Sequence, residues 1–456
     1  MAGRTFELEP REVPRVETDW RRIATKFPVP ESLPVLAELR RYEPLSMQGQ
    51  PPVVWDRASG CQVYDPWGNV WLDWSSGVLV ANTGHSNADV CRAIREQAAH
   101  GLIHNYCFPA EMRARLVCAL VEAAPEGIDK AFLLTTGSEA VECAIKLSRA
   151  RGLDRGGPDK TVIVTFENAF HGRTLGAQQA GGIPALKEWI VHLDPAFVQA
   201  PFPDGFRCED TSFELFESSL ERLGVDPDAV ACVMTETYQG GGASFAPGDY
   251  IRRLREWTRH HDALLVMDEV QAGFGRTGTF WGFEHYGVVP DLICCGKGIT
   301  SALPLSAVLG PAEVMDQFAP GTMTSTHSGN PVCAAAALAN LEFIRDNDLV
   351  EHARNVGEVL HAGLQQLGRR FSHVIGAVHG RGMVAGLHLV RPGSEEPDGE
   401  LAFRVVRACV ERGLLLFSPV GVGSATVKIC PPLVTPDEAV REGVSVLEDA
   451  LQAEVD

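Results

Sequence analysis

The sequence predicts an α/β protein: a large domain on a mainly parallel sheet, with a smaller α+β domain drawn from both ends of the chain. Short apolar runs recur between residues 131 and 310 with helix-period segments between them. That alternation is expected of a parallel sheet covered on both faces. Beyond residue 340 the texture changes, and 456 residues exceed what one core usually holds.

Residues 1–50 are rich in proline and arginine, weakly patterned, and read as an arm lying over another surface. VVWDRASGCQVYDPWGNVWLDW (53–74) alternates around Asp-Pro-Trp-Gly-Asn, turn chemistry that predicts a short hairpin. Together these give residues 1–85 as the first part of the smaller domain. Within 86–340, the runs AFLLTT (131–136), TVIVTF (161–166), AVACVMTE (229–236), ALLVMDEV (263–270), DLICC (291–295) and LSAVLG (305–310) predict buried strands. EAVECAIKLSRA (139–150) and YIRRLREWTRHH (250–261) predict helices between them. Within 341–456 the small domain resumes. A helical segment over about 332–369 leads into VIGAVHGRGMVAGLHLV, a helix over 401–412, the strands GLLLFSP and SATVKICPP, and a last helix.

A formal charge of −19 argues against nucleic-acid or anionic-membrane partners. No stretch approaches the roughly 20 apolar residues of a membrane helix, and the first residues carry no signal-peptide core. Twelve cysteines form no CxxC pair and no zinc-type spacing, so a reducing cytoplasm and no metal are expected.

In a parallel sheet the ligand lies beyond the C-terminal strand ends, and four of those ends carry unusual chemistry. In TTGSEAVECA (135–144), Thr136 and Glu139 spell a capping box, which alone would explain them. Gly137 and Ser138 also offer free amides and a hydroxyl at a helix start, a ready phosphate site. Phe170 and His171 follow the second strand, where an aromatic can stack on a flat cofactor or simply anchor a loop. Asp268 follows LLVM at the mouth of the sheet. It is a helix cap or ion-pair partner, or else a carboxylate that keeps a cofactor ring nitrogen protonated. Gly273, Gly275 and Gly278 spell GxGxxG, but TFWGF after them does not open a helix, so no dinucleotide site is expected.

The fourth end is DLICCGKGITSALPLSAV (291–308), where Lys297 sits between two glycines. A Walker A loop would need glycine at position 291 and Ser or Thr at 298; Asp291 and Gly298 stand there. A desolvated lysine is what a Schiff base with an aldehyde requires. A phosphate cup, an aromatic, a carboxylate and an amine are together what pyridoxal phosphate asks of a protein.

From about residue 40 onward the chain resembles the class III (ornithine/4-aminobutyrate type) aminotransferases of the pyridoxal-phosphate fold-type I superfamily. The resemblance rests on LDWSSGVLVANTGH, TTGSEAVECAIK, AFHGRT, MDEVQAGFGRTGTFWGFEHYGVVPDLICCGKG and TSTHSGNP. It implies a large domain with a seven-stranded sheet, and transfer of an amino group from an amino acid or amine to a 2-oxo acid. It implies that Lys297 holds pyridoxal 5'-phosphate as an internal aldimine and that Asp268 pairs with its ring nitrogen. Gln271 would lie near the ring hydroxyl, Gly137 and Ser138 would bind the phosphate, and Phe170 would stack on the ring. Thr326 would reach the phosphate of a partner subunit, so a homodimer is implied; whether dimers pair further is left open. Glu236 and Val78 match substrate-pocket positions.

Two residues depart from the family. Thr237 replaces a proline after Glu236, and Lys428 replaces an arginine that clamps a substrate carboxylate, offering a point charge in place of a fork. Lys428 is alternatively a solvated lysine on an edge strand. A racemase or epimerase, a decarboxylase or a lyase would use the same residues, and a non-catalytic dimeric scaffold could keep the fold alone.

Overall fold

The computed structural model describes residues 4–455 and divides the chain into two compact units. The larger holds Ala88–Gly240 and Ser244–Val350; the smaller holds the residues up to Asn87, Gly241–Ala243, and those from Glu351 onward.

Seven strands form the sheet of the larger unit: β1 (Lys130–Leu134), β2 (Val162–Phe166), β3 (Phe197–Ala200), β4 (Val230–Glu236), β5 (Leu264–Asp268), β6 (Leu292–Cys295) and β7 (Ser306–Gly310). Their spatial order is β1-β7-β6-β5-β4-β2-β3, parallel except for β7, which runs antiparallel to both neighbours. Six of them occupy the apolar runs of the sequence. β3 does not, because an edge strand needs no continuous apolar run: Phe197, Val198 and Gln199 are only half-buried.

Helix α1 (Gly137–Gly156) lays Ala140, Val141, Ala144 and Leu147 against Val266, Cys294 and Val308 of the sheet. Helix α2 (Gly248–His260) follows β4. The segment over 332–369 is two helices, not one: α3 (Pro331–Asp346) and α4 (Leu349–Arg370). Asp348 between them takes a left-handed backbone, φ +48°, which ends the helical path. The unit boundary therefore falls at Val350–Glu351 and not at 340–341, and α3 belongs to the larger unit.

In the smaller unit the segment read as one hairpin holds two: Arg57–Ser59, Gln62–Tyr64 and Val70–Asp73 form a meander. Asp65 builds the second turn by accepting from the amides of Trp67 (2.9 Å) and Asn69 (2.8 Å), with Gly68 at φ +90°. Val16–Glu17 and Arg22–Ile23 of the N-terminal arm extend this sheet, and Leu414–Leu415 adds to it in parallel. A second, antiparallel sheet orders Ile375–Arg381, Val384–Leu389 and Thr426–Ile429. Among the described residues no helix is long and apolar enough to cross a membrane.

One ion pair ties the strand starts of the larger unit together. Arg255 on α2 grips Asp291 with two nitrogens, at 2.5 and 2.8 Å, just before β6. Asp291 also accepts from the Leu265 amide of β5 at 2.7 Å. Asp291→Ala would leave a buried guanidinium without its carboxylate. The expected cost is about 3 kcal/mol of unfolding free energy, to be read as a lowered urea midpoint with unchanged slope.

Candidate active site

The C-terminal ends of β1, β2, β4, β5 and β6 converge on one cavity of about 310 Å³ in the larger unit. Nine of the residues singled out in the sequence line it: Thr136, Gly137, Ser138, Phe170, His171, Glu236, Asp268, Gln271 and Lys297.

At the end of β1 the capping box forms as expected. The Glu139 amide donates to Thr136 Oγ1 (3.3 Å), and Glu139 Oε2 accepts from the Thr136 amide (3.1 Å). That occupies the third amide of α1, so the Gly137 and Ser138 amides face outward from the positive end of a 20-residue helix. Gly172, at φ +136°, packs against this turn so closely that a Cβ there would lie 2.3 Å from Ser138 Oγ. Phe170 is half-buried, and the Arg173 guanidinium lies 5.4 Å from its ring centre.

Three buried ionisable groups face one another at the centre. Asp268 and Glu236 are register partners at the ends of adjacent parallel strands. His171 Nδ1 lies 2.8 Å from Asp268 Oδ2, and its ring is fully buried. Its other nitrogen, Nε2, has no hydrogen-bond partner among the described residues. Burial pulls the His171 imidazolium down, but the hydrogen bond and charge of Asp268, with the charge of Glu236, outweigh it and hold the ring above its ordinary value. Burial drives Glu236 above the ordinary carboxylate range, only partly opposed by the His171 charge and by the amides of Phe170 (3.0 Å) and Gly240 (2.9 Å).

Lys297 follows β6 with a left-handed backbone, φ +44°. Asn340 of α3 staples the turn by donating to the carbonyls of Gly298 (2.9 Å) and Ile299 (3.1 Å). Asn340 carries no motif and is invisible in the sequence; it is a tertiary partner. Arg173 and Val270, which also line the cavity, lie inside the quoted motifs but were not singled out. The GxGxxG stretch is a series of turns, with Gly275 at φ +90° and Gly278 at φ +86°, and no α-helix opens from it.

The remaining sequence candidates do not line this cavity. Thr326 lies on an exposed loop of the larger unit. Val78 and Lys428 belong to the smaller unit. Val78 is exposed, in a run of four left-handed residues (Ser76 φ +49°, Gly77 +57°, Val78 +65°, Leu79 +62°). Lys428 does sit on an edge strand, opposite Gly386, but at 2% exposure it is not a solvated lysine.

An amine, a buried carboxylate, an aromatic face and two outward amides around one cavity match the donor set a phosphorylated pyridine aldehyde needs. The tight Gly172–Ser138 approach and the unpartnered His171 Nε2 are the marks of a site shaped for a bound group.

Comparison with known proteins agrees. The family model described as aminotransferase class-III matches residues 45–451. A 5-aminovalerate aminotransferase of Pseudomonas putida is 34% identical over 410 residues, 87% of this chain and 93% of its own length. A 4-aminobutyrate aminotransferase of Mycobacterium leprae is 32% identical over 447 residues, covering 94% of this chain and 98% of that one. The crystal structure of an amine transaminase from an uncultivated Pseudomonas species, in its PLP-bound (internal aldimine) form, superposes with a TM-score of 0.83 at 28% identity, covering 90% of this chain and 97% of that one. These likenesses favour transamination over the racemase, decarboxylase, lyase and scaffold alternatives. The chain belongs to the class III aminotransferases, and is a pyridoxal-phosphate-dependent enzyme of fold type I that moves an amino group from a donor to an oxo acid.

Proposed function

We propose that Lys297 is the residue to which the cofactor's aldehyde is attached and that its Nζ moves the proton of the reaction. The observation that carries this reading is the convergence of Lys297, Asp268, His171 and the Gly137–Ser138 amides on one cavity. When bound, pyridoxal phosphate supplies an aldehyde for the donor amine and a pyridine ring that draws electrons from the donor carbon.

The protein's part follows from its geometry. Asp268, held by His171 Nδ1 at 2.8 Å and by the Val270 amide at 3.1 Å, presents a fixed carboxylate to the ring nitrogen. The Gly137 and Ser138 amides would hold the phosphate, Phe170 would cover the ring face, and Gln271 would serve the ring hydroxyl. Lys297 Nζ would be the base that takes the proton from the donor carbon and the acid that gives it back. Glu236 borders the substrate space from the end of β4. Lys428 and Val78 are the further substrate-binding candidates, Lys428 as the partner of a substrate carboxylate. Its support is its place in a strand whose four residues are all buried, at the position where the resemblance sets a carboxylate-clamping arginine.

We further propose a cytoplasmic homodimer in which Thr326 serves the partner's phosphate. All twelve cysteines are free, which suits a reducing compartment. The loop carrying Thr326 is tied to another with bare apolar side chains. Tyr106 Oη bonds Thr324 Oγ1 at 3.1 Å, Asn330 Nδ2 donates to Ile103 O at 2.7 Å, and Ile103 and Phe108 are 59% and 72% exposed. Apolar residues gathered in this way mark a protein interface.

Borohydride reduction should leave the cofactor fixed on the peptide containing Lys297, as read by mass spectrometry. Lys297→Ala should keep cofactor without a covalent link and lose turnover; label at Lys146 or Lys187 would refute the assignment. Asp268→Asn, nearly isosteric, should fold and lose most activity, whereas activity within a few-fold of the parent would make Asp268 a structural cap.

Subunit exchange tests the shared site. Mixing Lys297→Ala with Thr326→Ala should restore activity, because the hybrid dimer then has one doubly damaged and one intact site. A monomer by sedimentation would contradict it.

Lys428→Met should raise KM for carboxylate-bearing substrates about ten- to a hundredfold, since a charge-assisted bond is worth roughly 1.5–3 kcal/mol. Amines without a carboxylate should be almost unaffected. Equal effects on both classes would remove Lys428 from substrate recognition.

A further inference from the structure

Glu236 and Asp268 are the last register partners of β4 and β5. One residue further along each strand, the pairing continues through side chains: the Thr237 hydroxyl donates to Glu269 Oε1. Successive side chains of a strand point to opposite faces. Neither Thr237 nor Glu269 lines the cavity that Glu236 and Asp268 line, so the bond lies outside its wall.

Both residues are fully buried, each with 0% exposure. Glu269 also accepts from the amides of Gly282 (2.6 Å) and Phe283 (3.1 Å), and Tyr286 Oη donates to the Thr237 carbonyl at 2.6 Å. The packing leaves no slack: a Cβ on Gly282 would lie 2.8 Å from Thr237 Cγ2 and 3.3 Å from Glu269 Oε1. Thr237 stands where the resemblance to the family sets a proline, which has no hydroxyl to donate.

We propose that Thr237 and Glu269 are positioning residues. Their bond is a side-chain rung that carries the β4–β5 ladder one step past its last backbone pair, and so fixes the spacing of the two carboxylates that face the cavity. The proposal rests on the reading of Asp268 as the partner of the cofactor's ring nitrogen. If the rung is lost, the strand ends are free to part, and Asp268 meets the ring from a less defined position.

Thr237→Val removes the hydroxyl at nearly constant shape, and Thr237→Ser restores it. In the holoenzyme, Thr237→Val should raise the cofactor dissociation constant about three- to tenfold and lower kcat by a similar factor. KM for both substrates should stay within about twofold of the parent, since the rung touches neither. Thr237→Ser should return both quantities to the parent's values. A Thr237→Val enzyme that loses only thermal stability, with cofactor affinity and kcat unchanged, would reduce the rung to a structural contact and overturn the proposal. If Thr237→Val yields no folded protein, Thr237→Ala against Thr237→Ser gives the same contrast of hydroxyl absent and present. Asp268→Asn separates the two levels. If it is active, the underlying reading fails; if it is inactive while Thr237→Val matches the parent, the rung alone fails.

Discussion

The larger unit is organised by the burial of acids at the ends of two adjacent strands. Glu236, Asp268 and Glu269 are 5%, 5% and 0% exposed. Each buried ion costs several kcal/mol unless donors surround it, and each of these has its own set. Asp268 has His171 and the Val270 amide; Glu236 has the Phe170 and Gly240 amides; Glu269 has Thr237 and the Gly282 and Phe283 amides. Those donors come from the turns after β2, β4 and β5 and from the 281–286 segment. Satisfying the acids therefore dictates where four loops must lie, and that placement builds the cavity.

Strain is concentrated where the chemistry is proposed. A left-handed non-glycine residue costs about 1–2 kcal/mol, and Lys297 adopts this conformation at φ +44°. Regular helix after β6 would carry the lysine side chain in a different direction. The left-handed residue, followed by a turn that Asn340 holds through two carbonyls, fixes its direction instead. In the smaller unit the run Ser76–Leu79 stores more strain, and it too is tied down. Ser75 Oγ accepts the Gly77 amide at 3.1 Å, Ser76 Oγ donates to the Cys430 carbonyl at 2.6 Å, and Asp73 receives the Ser75 amide at 2.7 Å. Conformations this costly persist only where surrounding bonds over-determine them.

Much of this was legible in the sequence, for a physical reason. Strands buried on both faces must be apolar throughout, so β2, β4, β5, β6 and β7 announce themselves, and the chemistry that follows each one is bracketed by that signal. The Thr136–Glu139 capping box is local and could be read directly. What was hidden depends on contacts distant in sequence or on weak local signals. β3 lies at the sheet edge, where alternation with water relaxes the apolar demand. The break at Asp348 is a single backbone dihedral within a continuous helical pattern. The burial of Lys428 follows from what covers its strand, which alternation within TVKIC cannot reveal. Glu269 and Asn340 reveal their roles only through partners such as Thr237 and Gly298.

The overall charge of −19 has the same sign as the oxo-acid substrate and the phosphate-bearing cofactor. Range resolves the conflict. At physiological ionic strength surface charges are screened beyond about 8 Å, so the acidic exterior contributes little inside a recessed cavity. The cavity sets cationic groups beside its two acids: the Lys297 amine, the Arg173 side chain and the outward amides at the start of α1 stand with Glu236 and Asp268. Local cationic groups within an acidic envelope can hold a small anion, while a polyanion must bring its many charges to the whole surface. That division suits an enzyme that moves an amino group to a small oxo acid.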